Sequence, residues 1–123
     1  MIEIKRLNHV QICIPSGKEN EAREFYTKIL GLREIPKPAE LISNGGLWYV
    51  AGDIQLHIGV DNEINKSKGH PAFEVIGLEN AREYLVKNKV EIKDEIQIPG
   101  QTRFSFFDPF NHRIELLEKG LIQ

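Results

Sequence analysis

The chain repeats itself, and the repeat limits its fold more than any other feature. The phrase His112-Arg113-Ile114-Glu115-Leu116 near the C-terminus is echoed by Asp53-Ile54-Gln55-Leu56-His57-Ile58. Ala22-Arg23-Glu24-Phe25-Tyr26 returns as Ala81-Arg82-Glu83-Tyr84-Leu85. Asn8-His9-Val10-Gln11-Ile12 aligns loosely with Gly69-His70-Pro71-Ala72-Phe73. The three segments keep their order at an offset of about 60 residues, half the chain, which is the mark of an internal duplication. A chain of 123 residues fits one domain. The expectation is therefore a single domain over residues 1–123, with module one at about 1–60 and module two at about 69–123. In such a fold His9 is equivalent to His70, and Gln55 to Glu115.

Hydrophobic periodicity gives each module the same order of elements. In the first, residues 7–14 alternate as a strand, with Val10, Ile12 and Ile14 opposite His9, Gln11 and Cys13. Ala22, Phe25, Tyr26, Ile29 and Leu30 follow a helical spacing over about 20–30, and Gly31 stops it. A short strand is expected near 32–35, a turn over 39–46, and a hairpin of 47–51 and 54–60 about Gly52-Asp53. Residues 61–69 are polar and read as a linker. In the second module, 71–76 is a strand and 78–88 a helix, with Leu78, Ala81, Tyr84 and Leu85 on its apolar side. Strands follow near 91–98, at 102–107 and at 113–118, the last after the turn Asp108-Pro109-Phe110-Asn111. The fold class is α+β: two βαβββ modules forming a concave mixed sheet, helices on the outer face.

Bulk properties narrow the function. A net charge of −2 gives no basic field for nucleic acid or an anionic membrane. No apolar run reaches the ~20 residues of a membrane span. The first residues hold no apolar stretch of the kind a signal peptide needs. Cys13 is the sole cysteine, so no intrachain disulfide forms, and a cytoplasmic location is expected.

The chemistry lies on the strand faces opposite the apolar sets. Those faces carry His9 and Gln11, Gln55 and His57, His70 and Glu74, and Arg113 and Glu115. Two imidazoles and a carboxylate, His9, His70 and Glu115, suit a divalent metal that keeps open positions. The amide oxygen of Gln55 is a weaker fourth donor. One such ion is expected, Zn, Ni, Mn or Fe by this donor set. His57 is an alternative ligand, a general base, or a group supporting the ligands. Trp48 and Phe106 are candidates for an aromatic wall around a small substrate, although core packing is the more ordinary reading of middle-strand aromatics. Arg103 and Arg113 either bind an anionic group or form surface ion pairs. Cys13 reads as a small buried hydrophobe.

These residues resemble the vicinal oxygen chelate superfamily, which includes glyoxalase I, fosfomycin-resistance thiol transferases, bleomycin-binding proteins and extradiol dioxygenases. The resemblance rests on Leu7-Asn8-His9-Val10, on Phe25-Tyr26 through Leu30-Gly31-Leu32, on Gly69-His70, and on Asp108-Pro109 through Ile114-Glu115-Leu116. It implies paired βαβββ modules forming a metal cup, with His9, His70 and Glu115 as ligands and Gln55 at the fourth position. Glyoxalase I generally has a carboxylate where Gln55 stands, and an amide there cannot act as a base. Gln11 stands where fosfomycin transferases lead one to expect threonine, and extradiol dioxygenases are about twice this length.

Two functions follow from the resemblance. The first is a metal-dependent enzyme of the glyoxalase type, a lyase or related activity on a small oxygen-chelating substrate, with Glu115 as ligand and proton carrier and His57 as a second catalytic candidate. The alternatives are a metal-free small-molecule binding protein of the bleomycin-resistance kind, a fosfomycin-resistance-type thiol transferase, or a dioxygenase. A homodimer is expected, because sheet edges need covering and the family usually pairs its modules.

Overall fold

A computed structural model describes residues 1–63 and 68–120. It divides into two compact units, Met1–Asn65 and Lys66–Gln123. Of the expected linker, residues 64–67 lie outside the described residues.

The first unit runs β1 (His9–Ile14), α1 (Glu19–Arg23), β2 (Arg33–Ile35), β3 (Leu47–Ala51) and β4 (Ile54–Val60). The second runs β5 (Ala72–Glu74), α2 (Leu78–Lys87), β6 (Ile92–Asp94), β7 (Gln101–Phe107) and β8 (Arg113–Lys119). Their sheets have the same topology, β1-β4-β3-β2 and β5-β8-β7-β6. In each, the first strand pairs in parallel with the last, and the remaining pairs are antiparallel. The βαβββ order read from the repeat is the observed one.

Alternation sorts the side chains as the sequence requires. On one face of the first sheet Ile12, Ile58 and Leu47 share a row, as do Val10, Leu56 and Tyr49. All but Val10 are buried. The helix that follows β1 packs there: Tyr26 is buried near the Tyr49 ring, and Thr27 Oγ1 lies 2.9 Å from the Tyr49 hydroxyl. In the second sheet Ile114, Phe104 and Phe106 are buried on the equivalent face. Removing each such side chain from water contributes about 1.5–3 kcal/mol.

Three local departures have physical causes. The first helix is α-helical only over Glu19–Arg23 and continues as a π-helix over Glu24–Ile29, closed by Leu30 N–H donating to Phe25 O at 2.9 Å. The wider turn accompanies burial of two consecutive large rings, Phe25 and Tyr26. Residues Ala39–Asn44 form a 3-10 helix within the expected turn. The strand expected over 91–98 ends at Asp94, because the Gln97 side chain takes the place of backbone opposite β7. Its amide donates to Arg103 O at 3.0 Å and accepts from Arg103 N–H at 3.3 Å. On α2, Tyr84 is half exposed rather than packed. Arg82 covers the sheet instead, with its guanidinium 5.4 Å from the Phe104 ring centroid and 2.6 Å from Asp94 Oδ1. No helix among the described residues is long and apolar enough to cross a membrane.

Candidate functional site

The polar face of the first sheet holds a stack of three rings. The Gly52-Asp53 turn sets Trp48 directly opposite His57, and the parallel pairing of β1 with β4 brings His9 to the other side. Trp48 and His57 stack with centroids 3.9 Å apart and planes 4° from parallel. His9 and His57 stack at 4.1 Å and 16°. His57 Nε2 lies 2.9 Å from Gln55 Oε1. An amide oxygen only accepts, so Nε2 carries the proton and Nδ1 is the basic nitrogen. Burial, followed by the proximity of His9 and Lys37, pushes the His57 pKa below the usual histidine range. Gln55 Oε1 keeps a second lone pair. His9 Nδ1 is 2.9 Å from Asn8 Oδ1. These residues, with Gln11 and Lys37, line a cleft of about 900 Å³.

The equivalent face of the second sheet is charged. Glu115, the third residue of β8, is only 5% exposed. Its Oε1 is 3.1 Å from His70 Nε2 and 3.3 Å from Arg103 Nη1. Arg103 is further fixed by Nε donating to Ile96 O at 2.9 Å. His70 Nδ1 faces two groups, Arg113 Nη2 at 2.8 Å and the Lys68 carbonyl at 2.9 Å. By tautomer, Nδ1 either accepts from the Arg113 guanidinium while Nε2 donates to Glu115, or donates to the Lys68 carbonyl. Arg113 Nε is buried without a hydrogen-bond partner among the described residues.

Glu95 closes the network, accepting from Ser105 Oγ at 2.6 Å and lying 3.8 Å from Arg113 Nη1. The Ser105 hydroxyl holds the Glu95 carboxyl below the usual carboxylate range, with Lys93 and Arg113 adding to the effect. The β7–β8 turn keeps Glu115 opposite Ser105: Asp108 Oδ1 accepts from the N–H groups of Phe110 and His112, both at 2.8 Å.

Within the first module, then, His9, Gln55, His57 and Trp48 come together. Within the second, His70, Glu115, Arg103 and Arg113 do. Glu74 is exposed. Phe106 pairs with Ile114 and is 1% exposed. It belongs to the core, on the face opposite Glu115, because positions 104 and 106 alternate away from 103, 105 and 107. Burial, with Asp61 nearby, raises the Cys13 thiol pKa, which suits the hydrophobe reading over a nucleophile.

Alternation along the sequence does not single out Lys37, Glu95 or Ser105. The Trp48–His57 pair had a readable signal, since a two-residue hairpin turn fixes which residues face each other. Among the described residues, no group of three or more His, Cys, Asp or Glu side chains is gathered as a metal site.

The fold is that of a vicinal oxygen chelate protein. Residues 6–116 match the Glyoxalase/Bleomycin resistance protein/Dioxygenase superfamily, and the chain belongs to it. It is similar to the crystal structure of a glyoxalase family protein from Bacillus anthracis, at 40% identity and a TM-score of 0.91, covering 98% of this chain and 99% of that one. The fold also matches a glyoxalase family protein from Enterococcus faecalis, at 23% identity and a TM-score of 0.73, covering 93% and 98%. The fosfomycin resistance protein FosX of Listeria monocytogenes matches at 19% identity and a TM-score of 0.77, covering 97% of each chain. A comparison with curated proteins gives no significant match.

Proposed function

We propose that the protein acts on a small oxygen-bearing substrate with a divalent ion taken by His9, His70 and Glu115, with Gln55 as a weaker fourth donor. One observation carries this reading. Within the second module His70 Nε2 lies 3.1 Å from Glu115 Oε1, and the repeat makes His9 and Gln55 the counterparts of that pair in the first.

His70 and Glu115 are spaced as ligands of such an ion would be. Two ligands bound at about 2.0–2.2 Å to one metal sit roughly 3 Å apart, as His70 Nε2 and Glu115 Oε1 do. The Lys68 carbonyl is placed to accept a proton from His70 Nδ1 once Nε2 serves as a ligand, a usual arrangement for metal-bound histidine. Arg113 would then turn toward Glu95. Arg103 keeps Glu115 oriented, and the second lone pair of Gln55 Oε1 is free to join the ligand set while it accepts from His57.

When bound, the ion would supply Lewis-acid stabilisation of charge on a substrate oxygen. His57 supplies the base. Its Nε2 proton is fixed on Gln55, and its Nδ1 lone pair accepts a proton from the substrate and returns it. Trp48 forms a wall beside His57, and Arg113 Nε is a donor in search of an acceptor. Metal-free binding of a small molecule is the second reading, favoured by the ring stack. Metal content of protein purified without chelators separates the two. Wild type should hold about one ion per chain and His70→Ala almost none while still folded; equal contents would place the ion elsewhere. The superfamily also leads us to propose a homodimer, which sedimentation at micromolar concentration would reveal.

A further inference from the structure

We infer that the first-module cleft recognises an anionic group, a carboxylate or a similar small oxyanion, on a flat substrate, and that Lys37 binds it. This rests on the proposed reading of that face as a small-molecule site.

Among the described residues, Lys37 is the one Lys or Arg that lines the cleft, and no carboxylate lines it. It is half-buried and stands between Pro36 and Pro38, whose rings restrict the backbone on either side, so its stem rises from a stiff base. Its ammonium donates to the Gly45 carbonyl. The next N–H of the same peptide group, that of Gly46, donates to Glu19 Oε2 at 3.1 Å. The Gly45–Gly46 peptide is thus held between a cation on the cleft side and an anion behind it. This backbone lies so near Ile58 O that a Cβ on Gly46, where φ is +88°, would collide with it. A carbonyl is a neutral acceptor, and an incoming oxyanion replaces it with a stronger, charge-assisted bond.

The neighbouring groups point the same way. The stacked faces of Trp48, His57 and His9 offer a flat surface for a planar substrate body. The Gln11 side chain lies against Gly59, where a Cβ would come within 2.9 Å of its Cδ. Its carboxamide is thereby held along the cleft, where its N–H groups are donors.

Trp48 is the only tryptophan, so its fluorescence reports this cleft alone. The probes are benzoate, benzamide and benzylammonium at fixed ionic strength. Benzoate should change the emission saturably, and the other two should bind at least ~10-fold more weakly. Lys37→Gln should weaken benzoate at least ~10-fold without changing benzamide, and Lys37→Arg should restore most of the loss. Charge-blind binding by wild type, or full benzoate affinity in folded Lys37→Gln, overturns the inference and leaves the small-molecule reading intact. If no probe alters the emission, both fail for this face. Metal content of the same preparations tests the ion independently.

Discussion

The two modules share a topology and differ in what they place at its equivalent points. Position 55 holds an amide in a row of stacked rings; position 115 holds a buried carboxylate between His70 and Arg103. In the second module, two guanidiniums face two carboxylates, Glu95 and Glu115, and cancel. In the first, the cation Lys37 lines the cleft and its nearest counter-charge, Glu19, lies across the Gly45–Gly46 peptide. The same scaffold thus carries a ring-lined polar face in one module and a charged one in the other.

The sharpest test of that difference is truncation at the paired positions. Glu115→Ala leaves Arg103 facing a buried, vacant site and should cost about 3 kcal/mol, as removing one member of a buried ion pair does. Gln55→Ala removes a neutral hydrogen bond and should cost about 1 kcal/mol or less. Urea midpoints measure both, and equal losses would erase the distinction between the modules.

Ser105→Ala probes the charged network next. The hydroxyl bonds an ionised carboxylate, so its loss should cost about 1.5 kcal/mol at pH 7. Because the Glu95 pKa is lowered in the folded state, its contribution is full above the unfolded value of about 4.3. It disappears as pH falls through the depressed folded value. The gap between wild type and Ser105→Ala should therefore narrow in acid. A gap independent of pH would mean that the hydroxyl acts through packing alone.

The smallest expected effect makes the modules alike. Gln55→Glu gives the first module the carboxylate of the second, and should tighten metal binding by ~1 kcal/mol in competition with a chelator. Unchanged affinity would put position 55 outside the ligand set.

Strand order and facing were legible in the sequence because alternation has a period of two, and a buried face fixes it. That placed His9, Gln55, His57 and Glu115 on polar strand faces, whereas His70 lies before β5, which runs only over Ala72–Glu74. It failed where side chains do the work of backbone. Gln97 replaces the ladder opposite Arg103, ending β6 early and freeing Glu95 to meet Ser105 and Arg113. Nothing periodic announces such a substitution. The π-turn after Arg23 is invisible for a similar reason, since the apolar spacing of Phe25, Tyr26 and Ile29 suits either helix. Phe106 shows the opposite limit: its alternation from Glu115 across the β7–β8 pairing depends on a register that the Asp108 turn sets.

The central claim is that the His70–Glu115 pair is half of an ion site. Anomalous diffraction from a crystal soaked in a manganese or zinc salt, recorded on both sides of the metal edge, tests it most directly. A peak within about 2.0–2.3 Å of His70 Nε2 and a Glu115 carboxylate oxygen, with Arg113 turned from the imidazole, is the predicted result. The absence of any peak there, with His70 Nε2 still bonded to Glu115 at saturating metal, would contradict it.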